Sequence, residues 1–194
     1  IENFVSNCKG LGIDTFVLDD GWFGHRDTDN SSLGDWFIDK RKFPNGFDKI
    51  IEKCKENGMN FGLWFEPEMI SRDSELFRKH PDWCIHVENK EPTESRWQLV
   101  LDMSRNEVVE FTFRQVANIL NRFDISYVKW DMNRNITDVG NTEVSHRYIL
   151  GVYELMHRLT TEFPKVLFEG CAGGGGRFDF GILYYMPQFW TSDD

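Results

Sequence analysis

The most informative stretch of the chain is YVKWDMNR, residues 127–134. The apolar run from Ile125 to Val128 continues into charged residues, as buried parallel strands do where they end. Side chains alternate along a strand, so we expect Lys129 and Asp131 to share one face, with an ammonium beside a carboxylate. A carboxylate fixed in this way can act as a nucleophile or stabilise charge. The alternative is a simple salt bridge at the end of a strand.

Short apolar runs and amphipathic segments alternate along the rest of the chain. Besides the stretch quoted above, strands are predicted at residues 15–18, 61–65, 98–101, 166–168 and 188–190. Helices are predicted from the start of the chain to residue 10 and at residues 44–57, 73–79, 106–123 and 142–162. Residues 23–43 are predicted to form a loop of functional length. Alternating β and α elements predict a parallel sheet.

A carboxylate follows every predicted strand. A doubly wound sheet concentrates its site at one switch point, whereas a (β/α)₈ barrel collects residues from nearly every strand end. The even distribution favours the barrel, so the predicted fold class is α/β, an incomplete (β/α)₈ TIM barrel with about six of its eight strands present. One strand should precede residue 1 and one should follow residue 194. The carboxylates are Asp19, Asp20, Glu66, Glu68, Asp102, Asp131, Glu169, Asp193 and Asp194.

The composition indicates a globular protein with a neutral or cationic ligand. The net charge of -10 argues against nucleic acid or an anionic membrane as a partner, and the sequence has no signal peptide and no apolar run of membrane length. The cysteines are scattered, without the spacing of a zinc site, which favours a reducing compartment and a cytoplasmic location. Aromatic residues make up 15% of the chain, and such rings line sugar sites as well as large cores.

Two carboxylates that face each other across a barrel mouth are what glycoside hydrolysis requires. Asp131 is the natural nucleophile, and Asp193 or Asp194 could be the acid. A ring of acids can also bind Mg²⁺, but Lys129 on the face of Asp131 would compete with the cation. Three tryptophans near predicted strand ends offer flat apolar surfaces that suit a sugar: Trp22, Trp64 and Trp190.

Residues 129–134 resemble the nucleophile motif of the melibiase-type α-galactosidases of glycoside hydrolase family 36. The likeness extends over most of the chain, in six blocks that follow one another in the expected order. These blocks lie at residues 18–23, 64–69, 80–83, 96–102, 169–174 and 190–194. The resemblance implies that residues 1–194 are a partial catalytic (β/α)₈ barrel domain, without the β-rich domains that normally flank it.

By this resemblance Asp131 is the nucleophile and Asp193 is the acid/base. Seven further residues are implied to bind the substrate, because carboxylates accept from hydroxyl groups and cations donate to them. Asp19 and Asp20 would hold the hydroxyls at C4 and C6, and Trp64 would shape that end of the pocket. The others are Arg96 and Lys129 at ring hydroxyls, and Cys171 with the amide of Gly174 near the C2 hydroxyl.

Each of these residues also has a structural interpretation. The adjacent aspartates at 19 and 20 can cap the following loop, and Trp64 can fill the core. Arg96 can form a buried ion pair with Glu66 or Asp102. Cys171 can be a small buried hydrophobic residue. Four acids are expected to be mainly structural, as ties between strand ends: Glu66, Glu68, Asp102 and Glu169.

The resemblance implies a retaining α-galactosidase that releases terminal α-galactosyl groups from sugars such as melibiose and raffinose by double displacement, with no metal and no organic cofactor. One alternative is galactosyl transfer to another sugar, as in raffinose synthase-like relatives. Another is a non-catalytic carbohydrate-binding remnant. The expected partner is an oligosaccharide, and the full-length protein is expected to be a homo-oligomer.

Overall fold

The computed structural model describes residues 1–173 and 176–193, in which helices and strands alternate. The helices are α1 (Glu2–Asn7), α2 (Asp48–Glu56), α3 (Glu75–Lys79), α4 (Asn106–Arg122) and α5 (Thr142–Glu162). The strands are β1 (Thr15–Leu18), β2 (Asn60–Phe65), β3 (Met69–Ile70), β4 (Leu99–Val100), β5 (Tyr127–Trp130), β6 (Leu167–Gly170) and β7 (Gln188–Phe189).

Five of these strands form one parallel sheet in the order β1-β2-β5-β6-β7. The predicted α/β class is confirmed. The sheet is open, because a (β/α)₈ barrel closes with eight strands. Register brings the carboxyl ends together: Trp64 on β2 pairs with Lys129 on β5, and Trp130 pairs with Gly170 on β6. The residues that follow the strands therefore meet along one edge.

The strand predicted at residues 98–101 does not belong to this sheet. Leu99 and Val100 form β4, which pairs antiparallel with β3 through Ile70 and Met69. The count of six strands in the parallel sheet is therefore wrong, and the described residues supply five. Asp102, which follows β4, accepts hydrogen bonds from the backbone N–H and the hydroxyl of Ser104. A short buried apolar run identifies a strand but not its partner.

The long helices agree with the sequence, and one shorter helix begins later than predicted. Helices α4 and α5 bury the expected apolar faces, and Asn141 caps α5 by accepting from Val144 N at 2.9 Å. The helix predicted from Pro44 begins instead at Asp48. Gly46 adopts a φ of 68°, which lies in the left-handed region and cannot continue a right-handed helix.

Helix α5 packs very closely against the segment that follows β4. A Cβ atom built on Gly151 would overlap the backbone carbonyl of Met103 and would lie 3.3 Å from Val109 Cγ2 on α4. Only glycine allows this approach. The contact fixes α5 against its neighbours, and with it the position of Tyr148, which is fully buried.

An aromatic cluster supports the ends of β1 and β2. The centre of the Trp22 ring lies 5.2 Å from the ring centre of Phe65 and 6.0 Å from that of Trp36. The ring centres of Phe23 and Trp36 are 4.4 Å apart. Trp22 Nε1 also donates to the carbonyl of Trp64 at 2.8 Å, which fixes the backbone of β2 next to the edge. In the described part of the chain, no helix combines the length and apolar character that a membrane span requires.

Candidate active site

Asp131 directly follows β5, and its carboxylate accepts three hydrogen bonds. Trp64 Nε1 donates to Oδ2 at 3.0 Å and Asn133 Nδ2 donates to Oδ2 at 2.8 Å, while the backbone N–H of Met132 donates to Oδ1 at 2.8 Å. The backbone N–H of Asp131 donates to the carbonyl of Phe65 at 2.8 Å, which extends the β2–β5 pairing by one residue. The carboxylate is therefore held in one orientation at the carboxyl edge of the sheet.

Lys129 lies at the same edge, but its ion-pair partner differs from the one predicted. Its Nζ donates to Asp19 Oδ2 at 3.0 Å, after β1, rather than to Asp131 on its own strand. Burial disfavours the ammonium, but the hydrogen bond to Asp19 and the negative charges of Asp19 and Asp131 outweigh it. The pKa of Lys129 is therefore raised above its usual value. The ammonium also lies 5.3 Å from the centre of the Trp190 ring, a cation–π distance.

Asp20 forms an ion pair that the sequence did not predict. Arg26 Nη2 donates to Asp20 Oδ2 at 2.8 Å, and Arg26 Nε donates to Oδ1 at 3.0 Å. The same guanidinium donates to the carbonyls of Asp29 and Ser31, and its side chain is 4% exposed. Arg26 thus fixes Asp20 and folds the loop after β1 around it. The only signal in the sequence is a cation six residues after the acidic pair, which is too common to be diagnostic.

The tryptophans near the strand ends have different environments. Trp22 is fully buried and Trp64 is 2% exposed, so neither ring offers an open face to a sugar. Trp64 is a core residue that also donates a hydrogen bond to Asp131, and its role in shaping the sugar pocket stays a prediction. Trp190, at 43% exposed, presents its ring at the edge of the site.

Arg96 lies in an exposed two-residue hairpin turn. Arg96 and Trp97 have φ angles of 52° and 56°, and Ser95 and Gln98 exchange both backbone hydrogen bonds across the turn. The buried ion pair considered for Arg96 is therefore wrong. Arg134, from the YVKWDMNR stretch, anchors the base of this hairpin by donating to the carbonyl of Gln98 at 2.9 Å.

The last two strands bring Cys171 and Asp193 to the same edge. Cys171 follows β6 and is 2% exposed, and its backbone N–H donates to the carbonyl of Trp130 at 2.7 Å. Asp193 is exposed, and its Oδ1 accepts from Trp190 Nε1 at 2.8 Å. Gly174 and Asp194 lie outside the described residues, so their roles stay predictions.

Two fully buried acids follow β2. Glu68 accepts from Trp130 Nε1 at 3.0 Å and from the Tyr148 hydroxyl at 2.7 Å, and it forms an ion pair with Arg177. Glu66 accepts from Gln98 Nε2 at 3.1 Å and from the backbone N–H of residue 133. Burial, reinforced by the charge of Asp131, raises the pKa of Glu66 to about 8. Within residues 1–173 and 176–193, no three His, Cys, Asp or Glu side chains form a metal-binding group.

The fold and the acidic edge are those of an α/β barrel domain with its site at the carboxyl ends of the strands. The chain belongs to the melibiase family, whose family model matches residues 1–194. The resemblance stated from the sequence motifs is confirmed.

Its relatives are α-galactosidases of glycoside hydrolase family 36. AgaA of Geobacillus stearothermophilus is 53% identical over 202 aligned residues, which cover 100% of this chain and 28% of AgaA. Mel36A of Lactobacillus acidophilus is 51% identical, with the same two coverages. The crystal structure of AgaA matches all of this chain and 28% of that chain with a TM-score of 0.95. The chain therefore spans about 28% of the length of these relatives, and the oligomeric state, cytoplasmic location and domain boundaries stay predictions.

Proposed function

We propose that the protein is a retaining α-galactosidase in which Asp131 is the nucleophile and Asp193 is the acid/base. The observation that carries this proposal is the environment of Asp131. Three donors fix its carboxylate at the carboxyl edge of a parallel sheet, where Asp131 is 6% exposed and directly follows the strand that carries a cationic lysine. A nucleophile must hold one orientation at the moment of attack, and such preorganisation is a large part of catalysis.

The substrate in this proposal is a terminal α-galactosyl group of an oligosaccharide. Structures of AgaA variants contain raffinose or stachyose, both oligosaccharides. In this chain, Asp19 is 58% exposed at its side chain and Lys129 is 19% exposed. Carboxylate oxygens accept more than one hydrogen bond, and an ammonium has three donors. The Asp19–Lys129 pair can therefore both accept from and donate to sugar hydroxyls without breaking its own ion pair.

The chemistry follows from the two carboxylates. Asp131 attacks the anomeric carbon while Asp193 protonates the departing glycosidic oxygen, and a covalent galactosyl–enzyme ester forms. Asp193 then removes a proton from water, which attacks the same carbon and releases galactose with its configuration retained. The Trp190 indole N–H donates to Asp193 Oδ1 and so orients the Asp193 carboxyl group for these two proton transfers. Trp64 and Asn133 hold Asp131 through both steps.

The test is replacement of Asp131 by Gly in the full-length enzyme, assayed on a nitrophenyl α-galactoside with and without azide. The variant should lose turnover, because no ester can form. Azide should restore activity by attacking from the vacated side, and the product should be the β-galactosyl azide. Asp102→Gly is the control, since this acid follows β4, outside the parallel sheet, and should leave activity and its azide response unchanged. An α-configured azide product, or activity within about tenfold of the parent, would show that Asp131 is not the nucleophile.

A further inference from the structure

Glu66 is a buried acid that the proposed reaction does not use. It is the first residue after β2, it is 0% exposed, and the donors that contact its carboxyl group are neutral. They include Gln98 Nε2, at 3.1 Å from Oε2, and the backbone N–H of Asn133, which contacts Oε1. Within the described residues, Glu66 forms no ion pair. A buried carboxylate normally has a cation or a metal beside it, so the role of this group requires an explanation.

The carboxyl group is connected to Asp131 through one residue. Asn133 donates its backbone N–H to Glu66 and its side-chain Nδ2 to Asp131 Oδ2, at 2.8 Å. Glu66 therefore sets the position of the turn that follows β5, and this turn supplies two of the three donors to Asp131. The third donor, Trp64 Nε1, comes from the end of β2 itself.

The charges around Glu66 favour its neutral form. Burial is the largest effect on its pKa and raises it to about 8, and Asp131 acts in the same direction. The hydrogen bond from Asn133 and the more distant charge of Arg26 oppose this shift without reversing it. Two neighbouring carboxyl groups cannot both carry charge without a large cost. A neutral Glu66 leaves the negative charge to Asp131.

The hydrogen-bonding partners fit a neutral acid. A carboxylic acid offers one acceptor and one donor, and the N–H of Asn133 requires an acceptor. Gln98 is 2% exposed, and its Oε1 has no hydrogen-bond partner in residues 1–173 and 176–193. As placed, Gln98 donates through Nε2 to Glu66 Oε2. Because an amide can face a neighbour with either end, a Gln98 amide turned end for end would instead accept the acid proton of Glu66 through Oε1.

We propose that Glu66 is a positioning residue that, as a neutral buried acid, holds the catalytic carboxylate of Asp131 in place through Asn133. The proposal rests on the proposed function of Asp131 as the nucleophile. In this proposal the carboxyl group of Glu66, just after β2, keeps its proton. An acid is required at this buried position, rather than an apolar residue, because the backbone N–H of Asn133 needs an acceptor.

The experiment compares Glu66→Gln and Glu66→Leu in the full-length enzyme. Glutamine reproduces the acceptor and the donor of the neutral acid, so kcat should stay within about fivefold of the parent. Leucine has a similar volume but no acceptor for Asn133, so kcat should fall about 100-fold, because small misplacements of a reacting group have effects of this size. KM should change little in both variants, since Glu66 does not touch the sugar.

The pH dependence of the melting temperature tests the neutral form independently of activity. An acid with a folded-state pKa of about 8, against an ordinary value of 4.5, loses folding stability as pH rises through this interval. Glu66→Gln removes the titrating group, so its Tm minus that of the parent should increase from about pH 5 to about pH 8. Glu68→Gln is the matched control: it is equally buried but ion-paired with Arg177, so its Tm should be lower than that of the parent across the range.

The outcomes separate this inference from the proposed function. A Tm difference for Glu66→Gln that does not change with pH, or a loss of kcat equal to that of Glu66→Leu, would overturn the neutral acid. An unchanged kcat in Glu66→Leu would overturn the positioning role. If Asp131→Gly retained turnover, the function of Asp131 would be wrong, whatever the two Glu66 variants showed.

Discussion

The buried ion pair between Glu68 and Arg177 should be one of the strongest single supports of the site. The Glu68 carboxyl is 0% exposed and the Arg177 side chain is 16% exposed. Burial disfavours the guanidinium, but the charge and hydrogen bond of Glu68 outweigh it, so the pKa of Arg177 is raised. Arg177 lies in the loop after β6 that begins with Cys171, and Glu68 lies after β2. The pair therefore ties two strand ends and the loop between β6 and β7 together.

Arg177→Met should destabilise the barrel strongly, because it leaves a fully buried carboxylate without its cation. Removal of one partner of such a pair costs about 3–5 kcal/mol, which corresponds to a fall in Tm of roughly 10 °C for a domain of this size. The double variant Arg177→Met with Glu68→Gln should recover most of this loss. The introduced glutamine is neutral, and its side-chain carbonyl can still accept from Trp130 Nε1, so a residual cost of about 1–2 kcal/mol is expected.

Urea unfolding, followed by tryptophan fluorescence, measures the unfolding free energies of the parent, Arg177→Met, Glu68→Gln and the double variant, which together form a double-mutant cycle. The coupling energy should be about 3 kcal/mol or more. Arg147→Met is the control, because its pair with Glu143 on α5 is exposed at 54% and 72% and should cost less than about 0.5 kcal/mol. A loss below about 1 kcal/mol for Arg177→Met, or a double variant as unstable as the sum of the single ones, would refute this reasoning.

Two further changes test the packing and the assignment of the acid. Gly151→Ala should cost about 3 kcal/mol in unfolding free energy, because the new methyl group would overlap the Met103 carbonyl. Gly140→Ala, with no atom within 4 Å of its added Cβ, should cost almost nothing. If thermal melts showed the same loss of stability for both alanine variants, the close contact between Gly151 and the Met103 carbonyl would be contradicted. Asp193→Ala should lose most activity on raffinose but keep a fast first step, seen as a burst, on a dinitrophenyl galactoside, whose leaving group departs unprotonated. Asp194→Ala should show neither effect. If Asp194→Ala showed both effects and Asp193→Ala showed neither, the acid/base would be Asp194 rather than Asp193.

The sequence predicted those elements whose signal is local. Helices α4 and α5 were found because apolar residues recur at helical spacing along one face, and that face is buried in the structure. Strand β5 was found because β-branched and aromatic residues run into charges at its end. The six family blocks carried the prediction further than periodicity does, since they indicated a partial barrel, although one of them, at residues 96–102, contains β4, which lies outside the parallel sheet.

What the sequence could not predict depends on contacts between distant segments. The apolar run at residues 98–101 looks like a barrel strand, but its partner is β3, and only the tertiary fold determines this. Lys129 was paired with Asp131 because they are neighbours on one face, yet its long side chain reaches Asp19 instead. Arg26 gave no diagnostic signal, because its importance comes from the burial that the folded loop creates.

The block WFEPE at residues 64–68 shows how one short segment supports the strand end that carries Asp131. Residues 64–68 are all buried, and three of them, at positions 64, 66 and 68, carry polar side-chain groups. Each bonds to the end of β5 or to the turn after it: Trp64 to Asp131, Glu66 to Asn133, and Glu68 to Trp130. Asp131 therefore directly follows β5, and its orientation depends on this segment as well as on the turn after β5. A change at any of these three positions should alter the reactivity of Asp131 before it alters the binding of the sugar, because none of them presents an open surface to the substrate.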